Sequence, residues 1–199
     1  MPSLESEIKR QYARFFEKGD WAQLKSVAEL YLETAAKLKT KNLLPRHLLL
    51  LFRNIQKRLF LGIACELLLK SYYLKEGFCI NKPKHRRQIH GSFPYKLGNV
   101  NRDDFEIDDT FTLDQLINGL EAIHHFNDHQ TLLRGLKIAK VFRNKEGHVA
   151  TFWHDFDHQN YIDVAKSLII LYSEGFNERL RLRISVTRNE KAEFQVEKI

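Results

Sequence analysis

Glycine and proline are scarce in this chain, 9 and 4 of 199 residues. That argues against a turn-rich β-sandwich and suits long helices. Cysteine is scarcer still. Cys65 and Cys79 are too few for a disulfide framework and form no C-x-x-C pair, so the sequence reads as that of a protein from a reducing compartment. Long apolar runs are missing as well: no window approaches the roughly 18 residues of a membrane span. The acidic amino end holds no apolar stretch of signal-peptide length. A soluble, cytoplasmic protein is the expectation. Internal repeats and low-complexity segments are absent too.

What is present is enough for a core. A chain that is 43% hydrophobic and 12% aromatic is not disordered, and one that is 29% charged is not embedded in a membrane. The length accommodates one domain, or one domain with an appendage. Lys and Arg outnumber Asp and Glu by 32 to 25, a net charge of +7. The surplus favours a polyanionic partner without naming it.

Periodicity predicts an all-α bundle over residues 1–178, with a small β-hairpin over 179–199. Leu4, Ile8, Tyr12, Phe15 and Phe16 mark a first helix ending near Gly19. Asp20 with Gln23 resembles a capping box for a second helix running to about Lys39, which buries Trp21, Leu24, Val27, Ala28, Tyr31, Leu32 and Ala35. Pro45 suits the first turn of a third helix, Arg46 to Glu76, apolar nearly all round and therefore central. A break near Arg53–Lys57 would relieve its unusual length, and Gly77 is placed to cap it. Residues 78–110, with a basic run from Lys82 to Arg87 and acidic residues from Asp103 to Asp109, read as a long loop. Thr112 or Asp114 caps a helix from Leu113 to about Phe126. Asn127-Asp128 then breaks the chain before a helix from His129 to about His148. Asp155 or Asp157 caps the last helix, which buries Tyr161, Val164, Ala165, Leu168, Ile169 and Tyr172. In the tail, Leu180, Leu182, Ile184 and Val186 alternate with polar residues at strand spacing. Arg188 to Lys191 turns the chain into a second strand through Phe194 and Val196.

Three groups of residues are candidates for chemistry. Arg143, Asn144 and His148 stand at the end of a predicted helix. Positions 143 and 148 are about 140° apart on an ideal helix, so the two converge only if Gly147 ends the helix early or a second copy supplies the counterpart. His124, His125, His129, His154 and His158, with Asp155 and Asp157, include i,i+4 histidine pairs that suit a metal, although the aspartates are better explained as caps. The pair His154-Asp155 also occurs in all-α metal-dependent phosphohydrolases, whose remaining ligands have no convincing place here. The basic stretch Lys82–His90, containing Lys84, Arg86 and Arg87, lies close to Phe93 and Tyr95, a mixture that can bind phosphates and stack bases. Arg179, Arg181 and Arg183 share one face of the tail strand. Cys65 reads as a core residue and Cys79 as a loop thiol. Glu66 reads either as a polar partner at a cleft or, chiefly, as a helix-surface carboxylate at i,i+4 from Lys70.

Two segments together resemble the HEPN family. Leu59 to Gly77 is similar to its first long core helix, with Glu66 and Lys70 at the polar positions. Val141-Phe-Arg-Asn-Lys-Glu-Gly-His148 is similar to its signature of an Arg, a polar residue, a few variable positions and a His. The resemblance spans about residues 55–178, leaving the first helices as an N-terminal extension and the hairpin as an addition. It implies an antiparallel helical bundle and a metal-independent endoribonuclease with no cofactor, acting as a homodimer. In that reading Arg143 and His148 are catalytic, Asn144 supports them, and Lys145, Lys84, Arg86 and Arg87 contact RNA. A toxin or phage-defence role, with an antitoxin or other regulatory protein as partner, is also implied. In one branch of the family a Tyr stands two residues after the His, where this chain has Ala150. A non-catalytic module of the same shape, binding nucleotide, RNA or protein, is the alternative from another class.

Overall fold

The computed structural model describes residues 3–14, 20–37, 46–85, 92–149, 158–187 and 191–198. The expectations placed on Phe15, Phe16, Gly19, Pro45, Arg86, Arg87, Ala150, His154, Asp155, Asp157 and the turn at 188–190 lie outside the described residues. The rest is mostly helical with two small antiparallel sheets. The helices are α1 (Leu4–Ala13), α2 (Trp21–Lys37), α3 (Arg46–Lys75), α4 (Leu113–Gly119), α5 (His129–Val149) and α6 (His158–Ile170). Strands β1 (Asn81–Pro83) and β2 (Phe105–Thr110) form one sheet, and β3 (Leu180–Thr187) and β4 (Lys191–Lys198) the other. Two compact units emerge: Met1–Ser26 with Leu67–His125, and Val27–Glu66 with Phe126–Ile199. Among the described residues no helix is long and apolar enough to cross a membrane.

Helix α3 runs unbroken through Arg53–Lys57, so the expected interruption is absent. At 30 residues it is about 45 Å long. No residue from Ile55 to Leu74 is exposed, as its nearly all-round apolar character requires. It stops at Gly77, whose φ of +80° only glycine adopts without strain. Phe78 N–H donates to Tyr73 O at 2.8 Å and Gly77 N–H to Leu74 O at 3.0 Å, and the Tyr73 and Phe78 rings meet edge to face. This is a Schellman cap with its apolar contact in place.

In the first unit, the segment expected as a long loop contains a two-stranded sheet at its two ends. Asn81 pairs with Thr110 and Pro83 with Phe105, with an irregularity between them. Asn81, fully buried, bridges that irregularity by donating from Nδ2 to Glu106 O at 2.9 Å and Ile107 O at 3.3 Å. The opposed charge runs meet across the sheet. Lys82 Nζ lies 2.9 Å from Asp109 Oδ2, and Lys84 Nζ donates to Asp103 O at 2.8 Å. Phe105 of β2 joins a cluster of rings with Tyr73, Phe93, Tyr95 and Phe111; Phe93 and Phe111 are 4.3 Å apart and Tyr95 and Phe105 5.5 Å. Strand patterning could not reveal β1 and β2, because Asn-Lys-Pro and Phe-Glu-Ile-Asp-Asp-Thr are poor strand sequences held by their packing. Thr112, not Asp114, caps α4, through a reciprocal box with Gln115. The helix ends at Gly119, well short of Phe126, and tightens into a 3₁₀ turn over Leu120–Ala122. A Cβ at Gly119 would lie 2.2 Å from the Phe93 ring, so this stretch is moulded to the aromatic cluster.

In the second unit, Asp128 Oδ1 accepts Thr131 N–H at 3.2 Å and opens α5. Gly135 lets α5 press on α6: a Cβ there would stand 2.2 Å from Asp163 O and 2.6 Å from Ser167 Cβ. Helix α6 widens into a π-helical turn at Leu171–Gly175, and Asn177 ends it at a φ of 55°. Strand β3 then runs beside α6, so the hairpin, marginal by itself in water, has a helix to pack on. Its register sets Leu182, Ile184 and Val186 opposite Val196, Phe194 and Ala192. Two expected core residues, Val27 and Ile169, are 41% and 39% exposed instead, each at the margin of its helix's apolar stripe.

Cys79 lies in the loop between α3 and β1, as expected, but is fully buried, because its N–H donates to Tyr95 O and draws residue 79 inward. Cys65 is buried as expected. Burial pushes both thiols from 9.0 up to about 12. Their contribution to stability is present below pH 9 and is lost as pH rises toward 12, since the unfolded chain alone releases the protons. Urea-unfolding midpoints are expected to fall steeply from pH 9 to 11, by about tenfold in the folding equilibrium per pH unit for each thiol. At pH 8 a thiol reagent should label neither cysteine until denaturant is added.

Candidate active site on α5

The site begins with a glycine. A Cβ on Gly62 of α3 would lie 2.6 Å from Arg143 N and 2.7 Å from Ala139 O, so the two helices touch backbone to backbone at this point. One turn further along α3, on the same face, stands Glu66. Its carboxylate Oε2 is ion-paired with Arg143 Nε. The Glu66 side chain is 8% exposed and that of Arg143 40%. Glu66 is therefore not a surface carboxylate. The close crossing at Gly62 turns it inward onto α5, while Lys70 Nζ donates to Thr110 Oγ1 at 2.9 Å. Arg143 Nη1 also donates to Asn144 Oδ1 at 3.3 Å.

The result is an arginine whose stem is fixed at a helix crossing and whose side chain stays partly exposed. A fork held at Nε by a carboxylate keeps its orientation, which suits recognition of a phosphate. Because the guanidinium is partly hydrated, Glu66→Gln should lower stability only modestly, by about 1 kcal/mol. Urea unfolding measures that. Its effect on any phosphate-directed activity should be larger than its effect on stability.

Helix α5 continues through Gly147 and His148 to Val149, so Gly147 does not end it early. Positions 143 and 148 therefore leave the axis about 140° apart. The His148 side chain lies outside the described residues. Lys145 is exposed, as is Lys84. Of the metal candidates, His124 and His125 are exposed and His129 is half-buried at the start of α5. Among the described residues no three His, Cys, Asp or Glu side chains converge.

Sequence reasoning singled out Arg143 and Asn144 but ranked Glu66 below them. Nothing local marks Glu66 out, because the Gly62 crossing that turns it onto α5 is a property of the packed helices. Comparison with protein-family models, with curated proteins and with solved structures finds no match to this chain.

Proposed function

We propose that the chain is a metal-independent endoribonuclease of the HEPN type that works as a homodimer, in the role of a toxin or defence effector. The observation that carries the reading is the Glu66–Arg143 pair at the Gly62 crossing. It presents an oriented guanidinium, on a partly exposed side chain, five residues before a histidine on the same helix. In the proposed reaction His148 takes the proton from a ribose 2′-hydroxyl. The 2′-oxygen then attacks the adjacent phosphorus as the bond to the 5′-oxygen breaks. The 5′-oxygen leaves as a hydroxyl after receiving a proton from the partner's His148. Arg143 stabilises the charge on the phosphoryl oxygens, and Asn144 steadies Arg143. The nucleophile belongs to the substrate, so the scheme needs no metal-bound water.

A second copy would supply the second imidazole that the proposed acid–base pair needs. Gln130, Leu133, Arg134, Lys137, Ile138 and Val141 line a groove along one face of α5, and Val141 is 39% exposed. Position 148 follows Val141 by seven residues, within about 20° of the same face. Two chains packed along this groove would bring their two 148 positions to one interface, with each Arg143, about 160° from Val141, on the other side of its helix.

The test is incubation of the purified chain with single-stranded RNA in EDTA. Cleavage leaving 2′,3′-cyclic phosphate and 5′-hydroxyl ends is expected. RNA bound but left intact would replace the enzyme with a binding module, and neither binding nor cleavage would remove the RNA reading altogether.

A further inference from the structure

The first unit holds a cavity of about 360 Å³ that the α5 chemistry does not use. It arises where the chain after Gly77 meets the chain before β2. Leu97 N–H donates to Gly77 O at 2.8 Å and Cys79 N–H to Tyr95 O at 2.7 Å, so residues 92–100 lie back along 77–79. Phe78, Phe93 and Tyr95 line its aromatic side, and Ser92, Lys96 and Asn99 its polar side. The rings are rigid. Phe93 stacks on Tyr73 at 5.7 Å and leans on Phe111, while Tyr95 is set edge-on to Phe105. Phe93 and Tyr95 are nevertheless only half-buried, and the three polar residues reach solvent.

This lining selects a class of ligand. Its volume is at the small end of ligand cavities, which span roughly 300–1,000 Å³. Pro94, Val100 and Ala122 complete the lining, but three rings beside three polar side chains suit a planar, polar ligand better than an aliphatic tail. Among the described residues no carboxylate lines the cavity, whereas one ammonium, that of Lys96, does. Aromatic rings accept the face of a planar base, an amide matches donor and acceptor on a base edge, and an ammonium receives a phosphate. We infer that this cavity binds a nucleotide, with the base against Phe93 and Tyr95, Asn99 at the base edge and Lys96 at the phosphate. The nucleotide is either a free monophosphate or one unpaired residue of a single-stranded RNA. Only the second source rests on the ribonuclease reading, for which the cavity would be a place where substrate is held.

AMP is the probe, because an amide pairs bidentately with adenine and AMP has no phosphodiester to cleave. Its binding therefore reports on the cavity whether or not the α5 site is a nuclease. Calorimetric titration of the full chain should show saturable binding. Tyr95→Leu should weaken it by about fivefold or more, the loss expected of one stacking partner. Exposed Lys96→Ala should weaken AMP but leave adenosine unchanged, and exposed Asn99→Ala should weaken both. The last two variants keep the test sound if Tyr95→Leu fails to fold. Competition with a ten-residue oligoadenylate then assigns the source: displacement of AMP indicates RNA, and no displacement indicates the free nucleotide. The inference is overturned if AMP shows no saturable binding, or if Lys96→Ala and Asn99→Ala both bind it as the unaltered chain does.

Discussion

Arg143→Ala and His148→Ala are each expected to lower EDTA-resistant RNA cleavage by roughly 10²–10⁴-fold. The double variant should be little worse than the more severe single one, because groups acting on one transition state do not lose their effects additively. The two differ in a second respect. Arg143→Ala removes a cation from Glu66, whose side chain is 8% exposed, so it should also lower stability by about 2–3 kcal/mol. Activity must therefore be compared at a temperature where both variants are folded by circular dichroism. Arg143→Lys keeps the charge but not the planar fork. It should recover most of the stability and little of the activity, and that split separates phosphate recognition from a merely structural ion pair. Cleavage by both alanine variants at the unaltered rate would end the nuclease proposal.

The second large effect belongs to a residue with no side chain. Gly62→Ala should destabilise the fold by about 2–3 kcal/mol, although alanine is the better helix former by roughly 1 kcal/mol. The added methyl would meet Arg143 N at 2.6 Å and Ala139 O at 2.7 Å. Both are backbone atoms of a helix, so relief requires α5 itself to move. Because Glu66 reaches Arg143 across this crossing, the same change should cut RNA cleavage by more than its loss of stability explains. Gly98→Ala is the control. A Cβ there meets nothing within 4 Å, and its unfolding midpoint should stay where it is. Equal stability of the two variants in urea would show that the helices are not held by this contact.

Local sequence signals were sufficient for the long elements. The apolar run of α3, the glycine that caps it, the Thr112 box and the alternation in β3 are each determined by neighbours within a few residues. A 3.6 or 2.0 period is enough to read them. Strands β1 and β2 escaped because what holds them is remote: an aromatic cluster and the Asn81 side chain, neither of which leaves a periodic trace. Val27 and Ile169 escaped for the opposite reason. Their helical phase is apolar, and only the packing of neighbours decides where a stripe's edge lies.

The candidate site divides in the same way. Which residues the proposal assigns to the chemistry, Arg143, Asn144 and His148, was legible in the chain, since residue type and order are local facts. What Arg143 touches was not, because Glu66 lies 77 positions before it and at helical spacing from a lysine that offered a plausible local partner. Long-range pairing depends on how closely two helix backbones approach. Here that approach is permitted by the absence of a single carbon atom at Gly62, which is visible only once the helices are laid together.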